Sequence, residues 1–580
     1  MMRFQIPKSQ WNKIEDYLEQ LPQEETPGIT AEFYLDLMEA VLAEYDLQNL
    51  KEPAEDLQSY SRIVSVLAVL LSKGRRPELQ ETFQKMMTLA CQALPQYEGQ
   101  IGLDFSMKEL TLAYRCMKEY DTNGDWLKML QNIVPEQYGM PNGEAHNINL
   151  YNVAAEALRT REGLADSTEY CQNCLTKQVA KLDENGMYPD NAPRQYNPVL
   201  YDLAARAQMQ WAEYLKVYEF GDVLRRGGIW SLMTQSPTGQ IPYGGRSNQY
   251  GMNEAIFASV MEYEAAKQAE AGHLVLAGRM RRSARLAAES IREFVTQHSH
   301  RRNLFAEEQA GCEAYGYSYK YMISIAAFLI GGVLFAREEI PERPCPCEKG
   351  GYLLTSGANF HQIFAVCGGY GIQIDADGDP CYDATGWGRI HYRRAPAALG
   401  LSLPFAGEPA YRLAEGAAPC SAALGIGWDD GAGGVQYLSE LTGLKHAVAI
   451  EEESPAKVKF TVTYTGKGLK NCGGVMESYQ IDEGGVRYSA KLLEADAGTV
   501  YARVPLFLTD GMRESVIKQR AGQCSVRMKG WVFRVTSGAS LEGREREVCN
   551  RNGRYRLVTF MRLEPKIRLN LSFCRENTGE

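Results

Sequence analysis

The spacing of apolar residues changes once along the chain, near residue 340, and this change most limits what the protein can fold into. Before that point, apolar residues recur every three or four positions in long segments, as on one face of an α-helix. After it, segments such as 457–464 and 525–535 alternate apolar and polar residues, as in a strand with one buried face. The sequence therefore predicts a helical part followed by an antiparallel β part.

Glycine and proline mark the same boundary. Of the 54 glycines, 22 lie in residues 1–340 and 32 in the remaining 240 residues, so turns are denser in the second part. Pro341, Pro344 and Pro346 oppose helix continuation between the two parts. We predict a helical domain over 1–340, a proline-rich linker over 341–349 and an antiparallel β-sandwich over 350–580.

The arrangement of the helices stays open at this level. Ten or more helical segments of similar length, without a repeat of fixed length, suit either an open solenoid or a closed toroid. The longest apolar stretch, 321–336, has 16 residues, fewer than the roughly 20 that a bilayer span needs. We predict a buried helix there and no membrane partner.

Composition excludes several classes of protein. The formal net charge is -10 and no long basic run is present, which argues against a nucleic-acid partner. Residues 1–10 contain no apolar signal region, so we expect a cytoplasmic protein with reduced cysteines. The close pairs Cys171–Cys174 and Cys345–Cys347 lack a second pair at metal-site spacing, and we do not assign zinc to them. A homo-oligomer is compatible with the sequence.

Two loops that precede predicted helices, 184–202 and 240–254, concentrate tyrosine, arginine, asparagine and carboxylate residues. The free N–H groups and the dipole of a helix N-terminus favour an anion, so we interpret both loops as walls of a cleft for an acidic sugar. The alternative is that proline, asparagine and glycine only cap the helices. The candidate residues are Tyr188, Asp190, Arg194, Tyr196, Asn197, Asp202, Tyr243, Arg246, Asn248, Gln249, Tyr250 and Glu254.

Two further segments of the helical part add candidates. Segment 313–321 begins with Glu313 and has a tyrosine at every second position from Tyr315 and Tyr317 onward, so one or two rings can stack on a sugar. His146 and Asn147 stand at the start of another helix. His146 is a candidate base or charge neutraliser, with helix capping as the alternative.

The β part contains a candidate metal site. His361, Asp375 and His391 lie on neighbouring segments, and imidazole and carboxylate suit a structural divalent ion such as zinc or calcium. Alternatively, Arg389 and His391 reach the helical domain and complete the cleft, because binding sites favour domain interfaces. We expect no other cofactor.

Four short motifs carry a resemblance to a known family. They are His146-Asn147 before a helix with Ala155-Glu156-Ala157, Tyr188-Pro189-Asp190, Gly245-Arg246-Ser247-Asn248-Gln249, and Thr385-Gly386-Trp387-Gly388-Arg389-Ile390-His391. With them the chain resembles the heparinase II/III-like polysaccharide lyases, bacterial-type carbohydrate-active enzymes. The resemblance implies an N-terminal (α/α) toroid joined to a C-terminal antiparallel β-sandwich, and cleavage of uronic-acid-containing oligosaccharides by β-elimination.

The resemblance also implies roles for the candidates. Asparagine, histidine, arginine or glutamine groups neutralise the uronate carboxylate, and tyrosine or histidine moves protons. We expect Arg246, helped by Asn248 and Gln249, to stabilise the charge that forms next to C5. The candidates for proton transfer are Tyr243, Tyr250, Tyr315 and His391.

The sequence is compatible with two other functions. A toroid-type glycoside hydrolase that releases glucuronyl or unsaturated glucuronyl residues needs a carboxyl pair, for which Asp190, Asp202, Glu254 and Glu313 are the candidates. A glycan-binding protein without catalysis needs only the aromatic and polar lining. For an enzyme in the cytoplasm, action at a chain end is expected, because long polymers do not enter a cell.

Overall fold

The helical part begins near the N-terminus and continues past residue 330. The computed structural model describes residues 8–141, 143, 146–189, 198–357, 360–495, 498–543 and 546–576. Within these ranges the helices are α1 (Lys8–Gln20), α2 (Glu32–Leu42), α3 (Leu57–Ser72), α4 (Gln80–Ala93), α5 (Ile101–Met117), α6 (Asp125–Gln131), α7 (Asn147–Arg161), α8 (Thr168–Val179), α9 (Pro198–Tyr214), α10 (Asp222–Thr234), α11 (Met252–Glu270), α12 (Leu274–Thr296), α13 (Ser318–Phe335) and α14 (Pro346–Lys349).

Every second helix belongs to a closed inner ring. α3 packs on α5, α5 on α7, α7 on α9, α9 on α11, α11 on α13, and α13 packs back on α3. The outer helices α2, α4, α8, α10 and α12 each pack against inner neighbours, and α6 packs on α4 and α5. Because an outer helix returns the chain between successive inner helices, the inner helices run in one direction. The closed ring confirms the (α/α) toroid and rules out the open solenoid.

α13 is buried, as predicted from its apolar stretch. Among the described residues it is the one helix long and apolar enough to cross a membrane by length and composition. However, 67% of its apolar window is buried, and the helix packs against α2, α3 and α11. This is the environment of a core helix in a ring of helices.

The β part consists of antiparallel sheets. Its strands are β1 (Tyr352–Thr355), β2 (Gln362–Cys367), β3 (Tyr370–Asp375), β4 (Gly386–Tyr392), β5 (Gly425–Asp429), β6 (Val435–Tyr437), β7 (Lys445–Ser454), β8 (Lys457–Thr465), β9 (Gly474–Asp482), β10 (Gly485–Leu493), β11 (Val500–Thr509), β12 (Val516–Arg520), β13 (Gln523–Met528), β14 (Trp531–Thr536), β15 (Ser540–Leu541), β16 (Arg546–Cys549), β17 (Arg554–Arg562) and β18 (Lys566–Arg575).

Two large sheets form the predicted sandwich. One has the strand order β12-β13-β14-β18-β10-β9-β8-β7, and the other β15-β17-β11-β5-β6 with β16 paired to β17. The inward side chains of both, such as Phe460 and Val462 from the first and Val504 and Leu506 from the second, belong to one apolar core. The alternation at 457–464 and 525–535 therefore correctly predicts the buried face of the eight-stranded sheet, to which both segments belong.

A third, four-stranded sheet of β1-β2-β3-β4 lies between the helices and the sandwich. In β2, Phe364 and Val366 pack into the core of the helical domain, whereas Ile363 and Ala365 pack into the core of the sandwich. Successive side chains of a strand point to opposite faces, so this short sheet joins two apolar cores. The sequence did not predict this layer, because a strand buried on both faces shows no alternation.

Glu477 of β9 is a carboxyl group inside the sandwich core. Its side chain is 0% exposed and accepts hydrogen bonds from the hydroxyl groups of Tyr479 (2.9 Å) and Tyr488 (2.6 Å). Burial raises its pKa to about 7, although the two hydroxyl groups oppose the shift. The folded protein therefore keeps a proton that the unfolded chain loses at about pH 4 to 5.

Replacement of Glu477 by glutamine is expected to change the pH dependence of stability. A folded-state pKa above the unfolded value means that wild-type stability falls as the pH rises between the two values. The free energy of unfolding of Glu477→Gln relative to wild type should thus rise by roughly 3 kcal/mol from pH 4 to pH 8. Denaturant unfolding at several pH values measures it, with Glu483→Gln, an exposed residue of the β9–β10 turn, as control. A difference that does not change with pH would contradict the prediction.

Candidate functional site

The inner helices begin around a cavity of about 210 Å³ at one end of the ring. Residues from the first turns of α3, α7, α9, α11 and α13 line it, together with Phe105 of α5 and the loops before α11 and α13. The positive ends of the helix dipoles therefore point to the same end of the ring. The polar lining residues are Gln58, Arg62, His146, Asn147, Tyr151, Tyr201, Arg246, Ser247, Tyr315, Lys320, Tyr321 and Ser324.

Arg246 and Tyr315 form the most specific contact in the cavity wall. The Arg246 Nε–H donates to the Tyr315 hydroxyl, and the guanidinium carbon lies 4.4 Å from the centre of the Tyr315 ring. The Ser247 hydroxyl lies 3.0 Å from the same phenol oxygen. Burial and the Glu313 carboxylate raise the pKa of Tyr315, while Ser247 and Arg246 oppose the rise. The phenol is therefore protonated at neutral pH and is a proton donor in the resting protein.

Glu313 holds the Arg246 loop against the Tyr315 loop. Its carboxylate accepts from the Ser247 backbone N–H (2.7 Å), the Gln249 side-chain amide (2.7 Å) and the Tyr250 hydroxyl (2.8 Å). With these donors in place the buried carboxylate is hydrogen-bonded on both oxygens. Glu313, Gln249 and Tyr250 thus lie behind the cavity wall, where they position Arg246 and Tyr315 rather than contact a ligand.

Side chains of the β domain form hydrogen bonds with the backbone of Gly245, the residue that precedes Arg246. The Gly245 N–H donates to the Asp383 carboxylate, and the Gly245 carbonyl accepts from Arg551 Nη1 at 2.5 Å. Asp383 and Arg551 are themselves an ion pair at 3.1 Å, and both are buried. Gly245 has a φ of 68°, a left-handed conformation that glycine adopts without strain. We call this set of contacts the Gly245 clamp.

Two more β-domain side chains bind the same loop upstream. The Gln373 side chain accepts from the Tyr243 N–H at 3.1 Å and donates to the Tyr243 carbonyl at 2.8 Å. Arg389 Nη1 donates to the Ile241 carbonyl at 2.7 Å. The backbone from 241 to 245 is therefore held at every second residue. Arg389, predicted to complete the cleft, is instead buried in the domain interface and does not line the cavity.

His146 and Asn147 lie at the start of α7, which α9 separates from α11 in the ring. His146 Nδ1 accepts the Ile148 backbone N–H at 3.2 Å and caps the helix. When Nδ1 is the acceptor, the neutral ring carries its proton on Nε2. His146 therefore caps the helix and at the same time presents a hydrogen-bond donor to a ligand in the cavity.

Arg62 and Lys320 are cavity residues that the sequence analysis missed. Arg62 Nη1 donates to the Ser324 hydroxyl at 2.7 Å, and its guanidinium carbon lies 5.6 Å from the Phe105 ring centre and 5.7 Å from that of Phe328. Burial and Arg62 lower the pKa of Lys320. Arg62 is the single charged residue of α3, and Lys320 is the single charged residue of α13. A lone charge in an otherwise uncharged helix is a sequence signal that could have identified both residues.

Tyr201 and Tyr321 also reach the cavity, and the sequence analysis did not select them. Tyr201 interacts electrostatically with Arg246, so a second tyrosine lies near this guanidinium. Of the alternating tyrosines in 313–321, Tyr315 and Tyr321 line the cavity, in agreement with the expectation for one or two rings. Tyr317 is partly buried outside the lining.

The structure corrects the predicted carboxyl pair for hydrolysis. Asp202 forms a buried ion pair with Arg206 at 2.5 Å, and Glu254 forms one with Arg302. Burial raises the pKa of both carboxyl groups, and the arginines oppose the shift. Glu313 is used by the loop contacts described above. None of the described lining residues is a carboxylate, and Asp190 lies outside the described residues.

Several other predicted residues lie away from the cavity because they pack within the toroid wall or the domain interface. The Tyr188 hydroxyl donates to Gln178, and Tyr243 is fully buried near Arg389. The Asn248 amide donates to the Pro242 carbonyl at 3.2 Å. Tyr250 stacks on Tyr321 with ring centres 4.3 Å apart. The predicted residues Arg194, Tyr196 and Asn197 lie, like Asp190, outside the described residues.

The predicted metal set does not assemble. His361 Nδ1 lies 2.5 Å from the Asp375 carboxylate, but His391 pairs with Gly371 in the β3–β4 register. Gly371 is four residues from Asp375, about 13 Å along a strand. No group of three or more histidine, cysteine, aspartate or glutamate residues suited to a metal occurs in the described part of the chain.

His391 also has no access to the cavity. Its ring nitrogens lie 2.6 Å from the Ser236 hydroxyl and 2.9 Å from the Ser402 hydroxyl, inside the domain interface. Burial, with Arg389 and Arg302 nearby, lowers its pKa. The predicted catalytic role of His391 is therefore corrected to a neutral interface residue that the β4 register places away from the ring.

The chain is similar in structure to carbohydrate-processing proteins. Heparinase III is 9% identical over 98% of this chain and 89% of its own, with a TM-score of 0.46. A chondroitin AC lyase variant from Streptomyces coelicolor A3 is 11% identical over 98% of this chain and 82% of its own, with a TM-score of 0.49. A glycosyl hydrolase family 88 protein from Bacteroides vulgatus is 11% identical over 53% of this chain and 100% of its own, with a TM-score of 0.37.

No family model matches the sequence, and no curated protein matches it.

Proposed function

We propose that the protein is a lyase that cleaves uronic-acid-containing oligosaccharides by β-elimination. The observation that carries this proposal is the lining of the ring cavity. It combines the cations Arg62, Arg246 and Lys320 with the Arg246–Tyr315 contact, and it contains no carboxylate among the described lining residues. Such a lining favours an anionic ligand and the chemistry of proton transfer between neutral groups.

Elimination needs stabilisation of the charge that forms beside C5. Removal of the C5 proton places negative charge on the adjacent carboxylate, which then has enolate character. Preorganised donors in a site with little water stabilise this charge by several kcal/mol. Arg246 is the cationic donor in this scheme, and the Nε2–H of His146 and the Asn147 side chain are neutral donors from the start of α7.

The proton transfers fall to the two tyrosines near Arg246, Tyr315 and Tyr201. A base takes the C5 proton, the C4–O bond breaks, a C4=C5 double bond forms, and the leaving oxygen takes a proton. Tyr315 is the donor to that oxygen, since burial and Glu313 raise its pKa and keep it protonated. Tyr201 is the candidate that accepts the C5 proton, because a nearby guanidinium stabilises a phenolate.

The size of the cavity supports action at a chain end. About 210 Å³ is less than the roughly 300–1,000 Å³ of pockets that enclose drug-sized ligands. One sugar ring suits such a volume better than several. A cytoplasmic enzyme that trims short imported oligosaccharides would work on this scale.

Analysis of the products tests the proposal. We expect incubation with uronate oligosaccharides to yield fragments whose masses sum to that of the substrate, with the ultraviolet absorbance of a double bond conjugated to a carboxylate. The same oligosaccharides with the carboxyl groups reduced to alcohols are the control and should not be cleaved. Fragments heavier by one water would instead support a hydrolase, and binding without products would support a glycan-binding protein.

A further inference from the structure

Two cations, Arg62 and Lys320, line the same cavity. Arg62 lies in the second turn of α3 and Lys320 in the first turn of the neighbouring helix α13, and both line the cavity. Neither forms an ion pair with a described carboxylate. Burial and Arg62 lower the pKa of Lys320, and the Asp56 carboxylate opposes this shift. Like charges held together in a partly buried site destabilise the empty site. An anion bound between them would relieve this repulsion.

The Arg62 side chain is held in place before any ligand binds. It is only 6% exposed, and the Ser324 hydroxyl and the rings of Phe105 and Phe328 fix its guanidinium. A planar guanidinium fixed in this way binds an oxyanion at a small entropic cost. The apolar rings also exclude water from one side, which strengthens an electrostatic contact.

In the ring, the helix that carries Arg62 is not a neighbour of the helix that follows Arg246. Arg246 lies in the loop before α11 and contacts Tyr315, whereas Arg62 lies on α3, with α13 between α11 and α3 in the ring. We propose that the cavity has a second anion subsite, formed by Arg62 and Lys320, that binds a second anionic group of the substrate. This proposal rests on the proposed function, in which Arg246 binds the carboxylate at the reacting sugar. The second group is an oxyanion, either a sulfate ester or another carboxylate.

Binding of inorganic sulfate tests the subsite without any turnover. At constant ionic strength, calorimetry should show saturable sulfate binding to the wild-type protein. We expect Lys320→Gln to weaken it tenfold or more and Arg246→Gln to retain it, because Arg246 is outside the subsite. Lys85→Gln, an exposed lysine on the outer helix α4, is the matched control. Equal affinity of wild type and Lys320→Gln, or an absence of sulfate binding, would overturn the proposal.

Kinetics on matched substrates identify the second group. Three uronate disaccharides are compared: one without a further charge, one with a sulfate ester and one with a second carboxylate. We expect the kcat/KM of wild type to be higher for one of the two substrates with a further charge than for the substrate without one. Lys320→Gln should reduce the ratio of these two kcat/KM values tenfold or more. Equal kcat/KM for all three in wild type would overturn the subsite even in an active lyase. Absence of elimination with every substrate would instead overturn the proposed function, and sulfate binding would still decide the subsite.

Folding of the variants is checked separately. Arg62 is buried, so Arg62→Gln serves only as a second variant, and its thermal unfolding is measured beside its sulfate affinity. Lys320 is partly exposed, and we expect Lys320→Gln to unfold within a few degrees of wild type.

Discussion

Replacement of Arg246 by glutamine is expected to lower kcat/KM on a uronate oligosaccharide by about 10²–10³-fold, the loss typical of removing one donor from a site that stabilises a developing oxyanion. The effect is large for two reasons. The guanidinium faces the cavity, and its Nε–H also orients the Tyr315 hydroxyl. Steady-state kinetics, followed by the absorbance of the unsaturated product, measure it.

Two variants make the result specific to Arg246. Arg246→Lys keeps the positive charge but loses the planar donor, so we expect its kcat/KM to lie between those of wild type and Arg246→Gln. Arg225→Gln removes a partly exposed arginine of the outer helix α10, paired with Asp222, and should leave kcat/KM within twofold. Full activity of Arg246→Gln on every substrate that the wild type cleaves would show that Arg246 does not stabilise the transition state.

Disruption of the Gly245 clamp is expected to lower kcat/KM by about 10–100-fold, although no clamp side chain lines the cavity. In Arg551→Gln the Gly245 carbonyl loses its donor and Asp383 loses its ion-pair partner. A shift of about 1 Å in a positioned group reduces rates by up to about 10²-fold. We expect the loss mainly in kcat, because Arg246 remains present but misplaced.

A double-mutant cycle separates positioning from general destabilisation. If the clamp acts through Arg246, then Arg551→Gln in the Arg246→Gln background should reduce kcat/KM by less than threefold. If Arg551→Gln instead lowers kcat/KM in the Arg246→Gln background by as large a factor as it does in wild type, the clamp has a purely structural role. Arg513→Gln is the matched control. It breaks a different contact between the domains, the pair with Glu293 (3.0 Å), and it likewise removes the partner of a buried carboxylate, Asp510.

Stability must be followed in the same set of proteins. Arg551→Gln leaves a buried carboxyl group without its cation, which costs about 3–5 kcal/mol if Asp383 stays ionised. Burial already raises the pKa of Asp383 to about 7, so protonation limits the loss. Asp383→Asn combined with Arg551→Gln removes the unpaired charge altogether. We expect this double variant to be more stable than Arg551→Gln and to show the same defect in kcat.

The candidate site was predictable where a residue stood out in its local sequence. Arg246 and Tyr315 were selected from loops rich in polar and aromatic residues before helices, and both line the cavity. Tyr243 and Tyr250 came from the same loop but face the domain interface and the toroid wall. Neighbouring residues of an irregular loop point in unrelated directions. Composition therefore predicts which loop lines the cavity but not which of its side chains do.

The carboxyl groups and the metal candidates show a different limit. Asp202 and Glu254 have the residue type of a hydrolase pair, yet each forms a buried ion pair with an arginine. The partner of Asp202 is Arg206, 4 residues away on α9, and the partner of Glu254 is Arg302, 48 residues further along the chain. His391 and Asp375 are close in sequence, but the register of β3 and β4 separates them. Partners and register come from long-range packing, which a single sequence does not specify residue by residue.

The sequence by itself determined the order of the helical and β parts, because helix and strand periods of apolar residues are local properties. It also determined which loops are rich in cations and tyrosines. Only the tertiary structure decided that the helices close into a ring, that a middle sheet joins the two cores, and that Arg62 and Lys320 meet at one cavity. These features depend on contacts between residues far apart in the chain, where closure of the ring buries the apolar faces of α3 and α13 against each other.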